Sequence, residues 1–184
     1  VTLADAEREH ILGALRAVRT WARTLADALP PEPAARLDLA VLGPTTLRRD
    51  DRAVDHPHWR RERVRALLLL LLARGGGTRE ELAGALWPDL DTPGALRNLR
   101  VTLSYLLAVL EPDRPDGAPS FFVRAEGPSL RLVTDGWLSV DSHAFDALVD
   151  RAREAERQGE PSAALDLYRR ALRLYRGEYL IKAG

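Results

Sequence analysis

The sequence contains no cysteine and no long apolar segment, and its net charge is zero. Without cysteine the chain has no disulfide framework and no thiolate metal site, which is compatible with a reducing compartment. The longest apolar run, residues 66–73, is far shorter than the ~20 residues that a helix needs to cross a bilayer. No signal-peptide pattern opens the sequence. We therefore expect a cytoplasmic protein with no membrane partner.

The balance of charge holds along the chain as well as in total. The 27 basic and 27 acidic side chains also balance within residues 1–29, 30–135 and 136–184. A general attraction to nucleic acid is therefore not expected, and any DNA binding must come from local patches. At 46% hydrophobic and 29% charged, the 184 residues have the composition of an ordinary globular protein.

Residues 78–110 predict two helices joined by a short acidic link. Thr78 and Glu81 have the spacing of a capping box, which predicts the start of the first helix. Thr92 before Pro93 predicts the N-cap of the second. The second helix carries a stripe at three- and four-residue spacing, formed by Leu96, Leu99, Leu103, Leu106 and Leu110. This stripe must face a core.

The other side of the second helix is polar and locally basic. At about 100° per residue, the positions opposite the leucines are Arg97, Asn98, Val101, Ser104 and Tyr105, with Arg100 and Thr102 on the flanks. Arginine can bind guanine and asparagine can bind adenine in bidentate fashion, and the other side chains suit phosphates or thymine methyl groups. The face predicts a surface for the DNA major groove. The alternative is the solvated side of an amphipathic helix.

The region before this helix pair contains a helix, a linker and a sheet. Residues 3–29 predict an amphipathic helix, which prolines end at a stiff linker over residues 30–35. That helix either packs on the following domain or ends a preceding helical domain. Residues 36–54 alternate apolar and polar side chains, with a turn at Asp50-Asp51, and predict a small antiparallel sheet. Residues 59–74 predict a buried, leucine-rich helix.

Residues 121–133 predict a β-hairpin with its turn at Glu126-Gly127-Pro128. A helix pair followed by a hairpin is the arrangement of a winged helix-turn-helix. Beyond it, Asp141 predicts the N-cap of one helix and Pro161 the first turn of another. In the last helix we expect five side chains to face inward: Ala164, Leu165, Tyr168, Leu172 and Tyr175. Such a pair is one unit of an α-solenoid and needs stacked neighbours.

The order of these elements resembles one family. The segments EELAGALW, LRNLRVTLSYL and LYRGEYL, in this order and spacing, are similar to the antibiotic-regulatory-protein (SARP) type of bacterial transcriptional activator over residues 36–180. The resemblance implies a winged-helix DNA-binding domain of the response-regulator class at residues 36–135. It also implies the start of a TPR-like bacterial transcriptional activator domain at residues 136–184. The fold class is then mainly α with small antiparallel β elements (α+β).

The resemblance also implies partners and residue roles. Base edges would be met by Arg97, Asn98, Val101, Thr102 and Tyr105, phosphates by Arg100 and Ser104, and the backbone or minor groove by Arg124 or Arg131 of the wing. The acidic link from Pro88 to Thr92 would contact RNA polymerase. Double-stranded DNA would be bound by head-to-tail homodimers on direct repeats. The sequence starts without methionine and stops just after a helical pattern, so we expect a fragment of a larger multidomain regulator.

Two departures from the family pattern remove or reverse charge. Family members usually have Ser-Arg-Leu-Arg where this chain has Ser104-Tyr105-Leu106-Leu107, and the wing tip at Glu126 is acidic. Each lost phosphate contact lowers the slope of the salt dependence by roughly one unit. A second hypothesis therefore stands beside DNA binding. In it the winged helix has weak or lost DNA affinity and docks, with its TPR-like unit, onto a protein partner or onto the protein's own sensor domains.

No group of residues indicates catalysis or a bound metal. His56-Pro57-His58 lacks a third ligand, and Asp141-Ser142-His143 are too close in sequence for a catalytic triad. Gly75-Gly76-Gly77-Thr78 is not followed by a Walker-type lysine. We therefore expect no cofactor, no metal and no enzymatic activity. The densest cation cluster, Arg60, Arg61, Arg63 and Arg65, fits either phosphate contact or a solvated helix start.

Overall fold

The computed structural model describes residues 5–28 and 33–178, and the chain divides near residue 32 into two compact units. The first unit contains the predicted amphipathic helix, α1, over Asp5–Ala28. Three large apolar side chains on it, Leu15, Val18 and Trp21, are exposed. The part of the predicted linker at residues 30–32 lies outside the described residues.

The second unit has the predicted mainly α architecture with small sheets. In chain order its elements are β1 (Leu37–Ala40), β2 (Thr46–Arg49), β3 (Arg52–Ala53), α2 (Glu62–Arg74), β4 (Gly77–Thr78), α3 (Arg79–Leu86), α4 (Thr92–Leu110), β5 (Val123–Glu126), β6 (Ser129–Leu132), β7 (Leu138–Val140), α5 (Asp141–Arg157) and α6 (Pro161–Leu174). The helix pair α3–α4 followed by the hairpin β5–β6 is the predicted winged helix, and α5–α6 is the predicted helical pair.

The leading sheet has four strands in the order β3-β2-β1-β7, and β7 pairs with β1 in parallel. No strand was predicted beyond residue 136, so this part of the prediction is wrong. Asp141 differs from its prediction too. It is the first residue of α5, and its carboxylate accepts backbone N–H groups from Val41, at 2.7 Å, and Leu42, at 3.2 Å, instead of capping the helix. The start of α5 is thereby fixed to the end of β1.

The hairpin belongs to a three-stranded sheet in the order β4-β6-β5. The short strand β4, which immediately precedes α3, pairs with β6 and so joins the wing to the helix pair. Gly76 makes this approach possible. Its φ is +137°, and a Cβ there would lie 2.7 Å from the carbonyl oxygen of Leu130.

The core of the winged helix lies between α2, α3 and α4. Leu67, Leu68 and Leu71 of α2 are fully buried, as predicted for the leucine run. The capping box at the start of α3 is confirmed: the Thr78 hydroxyl accepts the Glu81 N–H at 3.2 Å, and the Glu81 carboxylate accepts the Thr78 N–H at 2.8 Å. The buried leucines and the capping box stabilise the pair of α3 and α4, and α4 carries the polar face.

Two details of the helices differ from prediction. The N-cap of α4 is Asp91 and not Thr92, because the Asp91 carboxylate accepts the Gly94 N–H at 3.1 Å. On α6, Ala164 is buried as predicted, but Leu165 and Leu172 are 48% and 66% exposed, and Tyr175, the residue after the helix, is 52% exposed. The prediction that these three face inward is wrong. Within the described residues α6 packs on α5 through its alanine side, and the three larger side chains lie away from that contact.

Candidate nucleic-acid interface

The structure brings five of the predicted site residues together on one face of α4. Its opposite face is buried through Ala95, Leu99, Leu106, Val109 and Leu110. The exposed face presents Arg97, Asn98, Arg100, Val101 and Ser104. Among the described residues, neither Arg97 nor Arg100 forms an ion pair, so both guanidinium groups are available to an anion or a base edge.

Thr102 does not belong to this face. Its side chain is only 7% exposed, because position 102 lies three residues after Leu99 and four before Leu106 on the same side of the helix. A buried hydroxyl cannot reach a base edge. The prediction that Thr102 contacts DNA is therefore wrong.

Tyr105 is half-buried by residues that precede α2. Its ring stacks on the imidazole of His58, with centroids 4.0 Å apart and planes tilted by 27°. The guanidinium carbon of Arg61 lies 4.7 Å from the centre of the same ring. Local sequence patterns gave no sign of this cluster, because Tyr105 lies more than forty positions after His58 and Arg61. Contact of Tyr105 with bases stays a prediction.

His58 lies in a polar and cationic environment within this cluster. Loss of solvent lowers the pKa of its imidazole, and the nearby His56 and Arg61 lower it further. Its Nδ1 atom is buried and has no hydrogen-bond partner. A neutral ring therefore stacks on Tyr105 near neutral pH.

The two wing arginines are both engaged within the protein. Arg124 and Arg131 lie opposite each other on β5 and β6. Arg131 is paired with Glu126 at 3.0 Å, and the Arg124 guanidinium carbon lies 5.8 Å from the centre of the Phe121 ring. The pairing of Arg131 is exposed and weak enough to be exchanged for a phosphate. Contact of Arg124 or Arg131 with DNA stays a prediction.

Arg79 fixes the turn of the wing and was not identified from the sequence. Its guanidinium donates hydrogen bonds to the carbonyl oxygens of Gly127 and Pro128, both at 3.0 Å. Its backbone N–H donates to Pro128 as well, at 3.1 Å. The first residue of α3 thus sets the position of the wing tip.

The link between α3 and α4 is exposed and forms part of a shallow groove. Pro88, Asp89 and Asp91 are exposed, and Leu90 is 46% exposed although it is apolar. Beside them lies a groove of about 250 Å³ whose wall includes Trp87 and Gly84.

Two features are absent from residues 5–28 and 33–178. No helix there is long and apolar enough to cross a membrane. No group of three or more histidine, aspartate or glutamate side chains is placed to hold a metal ion there.

The comparisons with known proteins agree on one family. The family model described as the bacterial transcriptional activator domain matches residues 140–184. Regulatory protein AfsR of Streptomyces coelicolor is 35% identical over 153 residues, which are 81% of this chain and 14% of that protein. A structure of Mycobacterium tuberculosis EmbR in complex with a low-affinity phosphopeptide superposes with a TM-score of 0.66 and 27% identity, over 79% of this chain and 38% of that one.

This chain therefore spans about a seventh of the curated relative and about two fifths of the solved one. The family model matches the part of the chain that begins at the last residue of β7 and contains α5 and α6. By these matches and by the order of its elements, the chain is similar to the SARP-type bacterial transcriptional activators.

Proposed function

We propose that this chain is the sequence-specific DNA-binding module of a bacterial transcriptional activator. In this function α4 lies in the major groove with Arg97 and Asn98 at base edges and with Arg100 and Ser104 at phosphates. The wing follows the backbone or the minor groove. The observation that supports the proposal is the division of α4 into a buried apolar face and an exposed face. The exposed face carries a carboxamide and two guanidinium groups that form no ion pair within residues 5–28 and 33–178. The function has no catalytic step and takes place in the cytoplasm.

The position of the polar groups along α4 supports base reading. Arg97 and Asn98 lie in the first two turns of the helix, and recognition helices contact bases mainly through their N-terminal residues. Arginine to guanine and asparagine to adenine are the bidentate pairs with the most specific geometry. Each such pair discriminates against a wrong base by about 1–3 kcal/mol.

Selection of duplexes from a random pool by the 184-residue chain tests this proposal. On the selected duplex we expect Arg97→Ala and Asn98→Ala each to weaken binding by about 1–3 kcal/mol and to relax selectivity at one position. Arg170→Ala, which removes an exposed arginine of α6, is the matched control and should bind like the wild type. Failure to enrich any sequence, or unchanged binding by both α4 variants, would overturn the proposal.

The exposed link before α4 is the proposed contact with RNA polymerase. The double substitution Asp89→Ala and Leu90→Ala should lower activated transcription in a reconstituted assay while DNA affinity stays unchanged. Asp113→Ala, in another exposed loop, is the control.

Binding as a head-to-tail homodimer predicts cooperative occupation of a duplex with two direct repeats and single occupation of a duplex with one. A dimer contact of this kind joins two different surfaces of the chain.

A second candidate function, docking onto a protein, is favoured by the state of the wing. Arg131 is paired with Glu126, and the tip carries an acid where a cation would meet DNA. In this alternative the wild type shows no salt-dependent binding to duplex DNA. The selection experiment and a salt titration therefore distinguish the two candidates.

A further inference from the structure

The exposed face of α4 gains a cation from outside the helix. After Arg100 the helix itself contains no basic residue up to its end at Leu110. Arg61, which precedes α2, places its guanidinium carbon 4.7 Å from the centre of the Tyr105 ring. A cation over an aromatic face is attracted by the ring quadrupole and is held in one orientation. The second half of α4 is thus supplied with a positive charge that its own sequence lacks.

The Arg61 guanidinium contacts the Tyr105 ring but is not paired with a carboxylate in the described part of the chain. Among the described residues, no carboxylate oxygen lies within 4.0 Å of an Arg61 nitrogen, and the side chain is exposed. Its neighbour Arg60 is different, because it is paired with Asp55 at 2.8 Å. A guanidinium fixed by a ring and free of an acid can form charge-assisted hydrogen bonds with an anion at little cost in side-chain entropy.

The place of Tyr105 along α4 determines which part of a bound duplex Arg61 would lie near. Asn98, Val101 and Tyr105 follow one line along α4, at spacings of three and four residues. Tyr105 lies about 10 Å beyond Asn98, at 1.5 Å per residue. The major groove is about 12 Å wide. When Asn98 reaches a base edge, the group held at Tyr105 is close to the wall of the groove, which consists of phosphodiester groups.

We propose that Arg61 binds a phosphate of the DNA backbone, and that Tyr105 and His58 are the residues that position it. The inference rests on the proposed DNA-binding function and adds a contact from outside the recognition helix. It also changes the role of Tyr105. The ring is a support for a cation and is not itself a reader of bases.

A salt titration with a mixed-sequence duplex of about 30 base pairs tests the contact, since phosphate binding needs no operator. Binding of the 184-residue chain is measured by fluorescence anisotropy between about 50 and 200 mM salt. We expect Arg61→Ala to lower the slope of log affinity against log salt by about one unit. Arg170→Ala, the control on α6, should keep the slope of the wild type.

Variants of Tyr105 test its positioning role. Tyr105→Phe keeps the aromatic face and should keep the slope, whereas Tyr105→Leu should lower it. If the ring acts only through Arg61, the double variant Arg61→Ala with Tyr105→Leu binds no more weakly than Arg61→Ala alone. Additive losses would overturn the positioning role. Thermal melts of each variant identify any loss of fold, and the phenylalanine variant then carries the test.

The results separate this inference from the function on which it rests. A wild type that binds with a salt slope while Arg61→Ala keeps that slope overturns the role of Arg61 alone. A wild type without salt-dependent binding overturns both. A reduced slope for Arg61→Ala, with the control unchanged, supports the contact.

Discussion

Protonation of His58 is opposed by its surroundings in the folded protein. Its imidazole packs on Tyr105 next to the Arg61 guanidinium, and its pKa is lowered first by loss of solvent and then by His56 and Arg61. The folded state therefore binds this proton less readily than the unfolded chain, in which the pKa of histidine is about 6.5. The stability that the neutral ring contributes is complete above this value. It is lost as the pH falls through the lower pKa of the folded state.

We predict that the melting temperature falls as the pH is lowered from about 7 to 5.5, and that His58→Phe reduces this fall. Phenylalanine keeps a ring that can stack on Tyr105 but cannot bind a proton. The measurement is a series of thermal melts at constant ionic strength. Equal pH dependence in the two proteins would show that protonation of His58 does not oppose folding. His143→Phe, at an exposed position of α5, is the control.

Arg79 acts on the wing through hydrogen bonds to carbonyl oxygens. Replacing it with alanine removes the two guanidinium bonds to Gly127 and Pro128 but keeps the backbone bond and the pairing of β4 with β6. We expect the free energy of local opening of the wing to fall by about 0.5–1 kcal/mol, without global unfolding. Amide hydrogen exchange in β5 and β6 should become about two- to fivefold faster.

The matched variant is Arg79→Lys, which keeps the charge but loses the planar fork that reaches two carbonyl oxygens. Its exchange rates should lie between those of the wild type and Arg79→Ala. If the alanine variant exchanges at the rate of the wild type, the strand pairing alone fixes the wing, and Arg79 has no positioning role.

At the scale of elements, Asp141 joins three parts of the second unit. Its carboxylate accepts two backbone N–H groups at the end of β1 and is paired with Arg176 after α6, at 3.2 Å. Its side chain is only 12% exposed. Asp141→Ala leaves two N–H groups without their acceptor and should lower the free energy of unfolding by about 2–3 kcal/mol.

Denaturant unfolding of the whole chain measures this loss. The matched control is Asp146→Ala on the same helix, where the side chain is exposed and the expected change is within about 0.5 kcal/mol. A loss of the same size in both variants would mean that charge on α5, and not the bonds to β1, stabilises this junction.

The elements that local patterns predicted were those whose signals lie within a few residues. The capping box at Thr78 and the leucine run of α2 are examples. The strand β7 was missed because its three residues pair with β1, about one hundred positions earlier. The inward face of α6 was misjudged because apolar spacing shows that a stripe exists but not what covers it. Whether the domain boundary lies at residue 135 stays a prediction.

The same limit applies to the site. Helical periodicity predicted the exposure of Arg97, Asn98 and Arg100 on α4, because their positions relative to the leucines are fixed by the helix alone. Thr102 lies at the border between the apolar and the polar face of α4, and helical periodicity does not decide whether a side chain at such a border is buried or exposed. The cluster of His58 and Arg61 with Tyr105 depends on tertiary packing, and no spacing within the sequence indicates it.

At the scale of the whole molecule, a net charge of zero limits DNA binding to a few contacts. Arg61 and Arg100, which form no ion pair in the part of the chain that the structure describes, are the cations proposed for phosphates. With one further contact the chain neutralises about two or three charges. The expected slope of log affinity against log salt is then about −2 to −3. Raising the salt from about 50 to 200 mM should weaken binding roughly fifteen- to sixtyfold. A slope steeper than about −6 would contradict this small set of contacts.

Breaking the ion pair of the wing tests the expected number of phosphate contacts. Glu126→Gln removes the acid that holds Arg131, and the freed guanidinium can then meet a phosphate. If the wing lies on DNA, the variant should bind more tightly than the wild type, with a slope steeper by about one unit. Glu160→Gln, at an exposed position before α6, changes the net charge equally and serves as the control. An unchanged slope for Glu126→Gln, together with a salt-dependent wild type, would place the wing away from the duplex and leave α4 and Arg61 as its contacts.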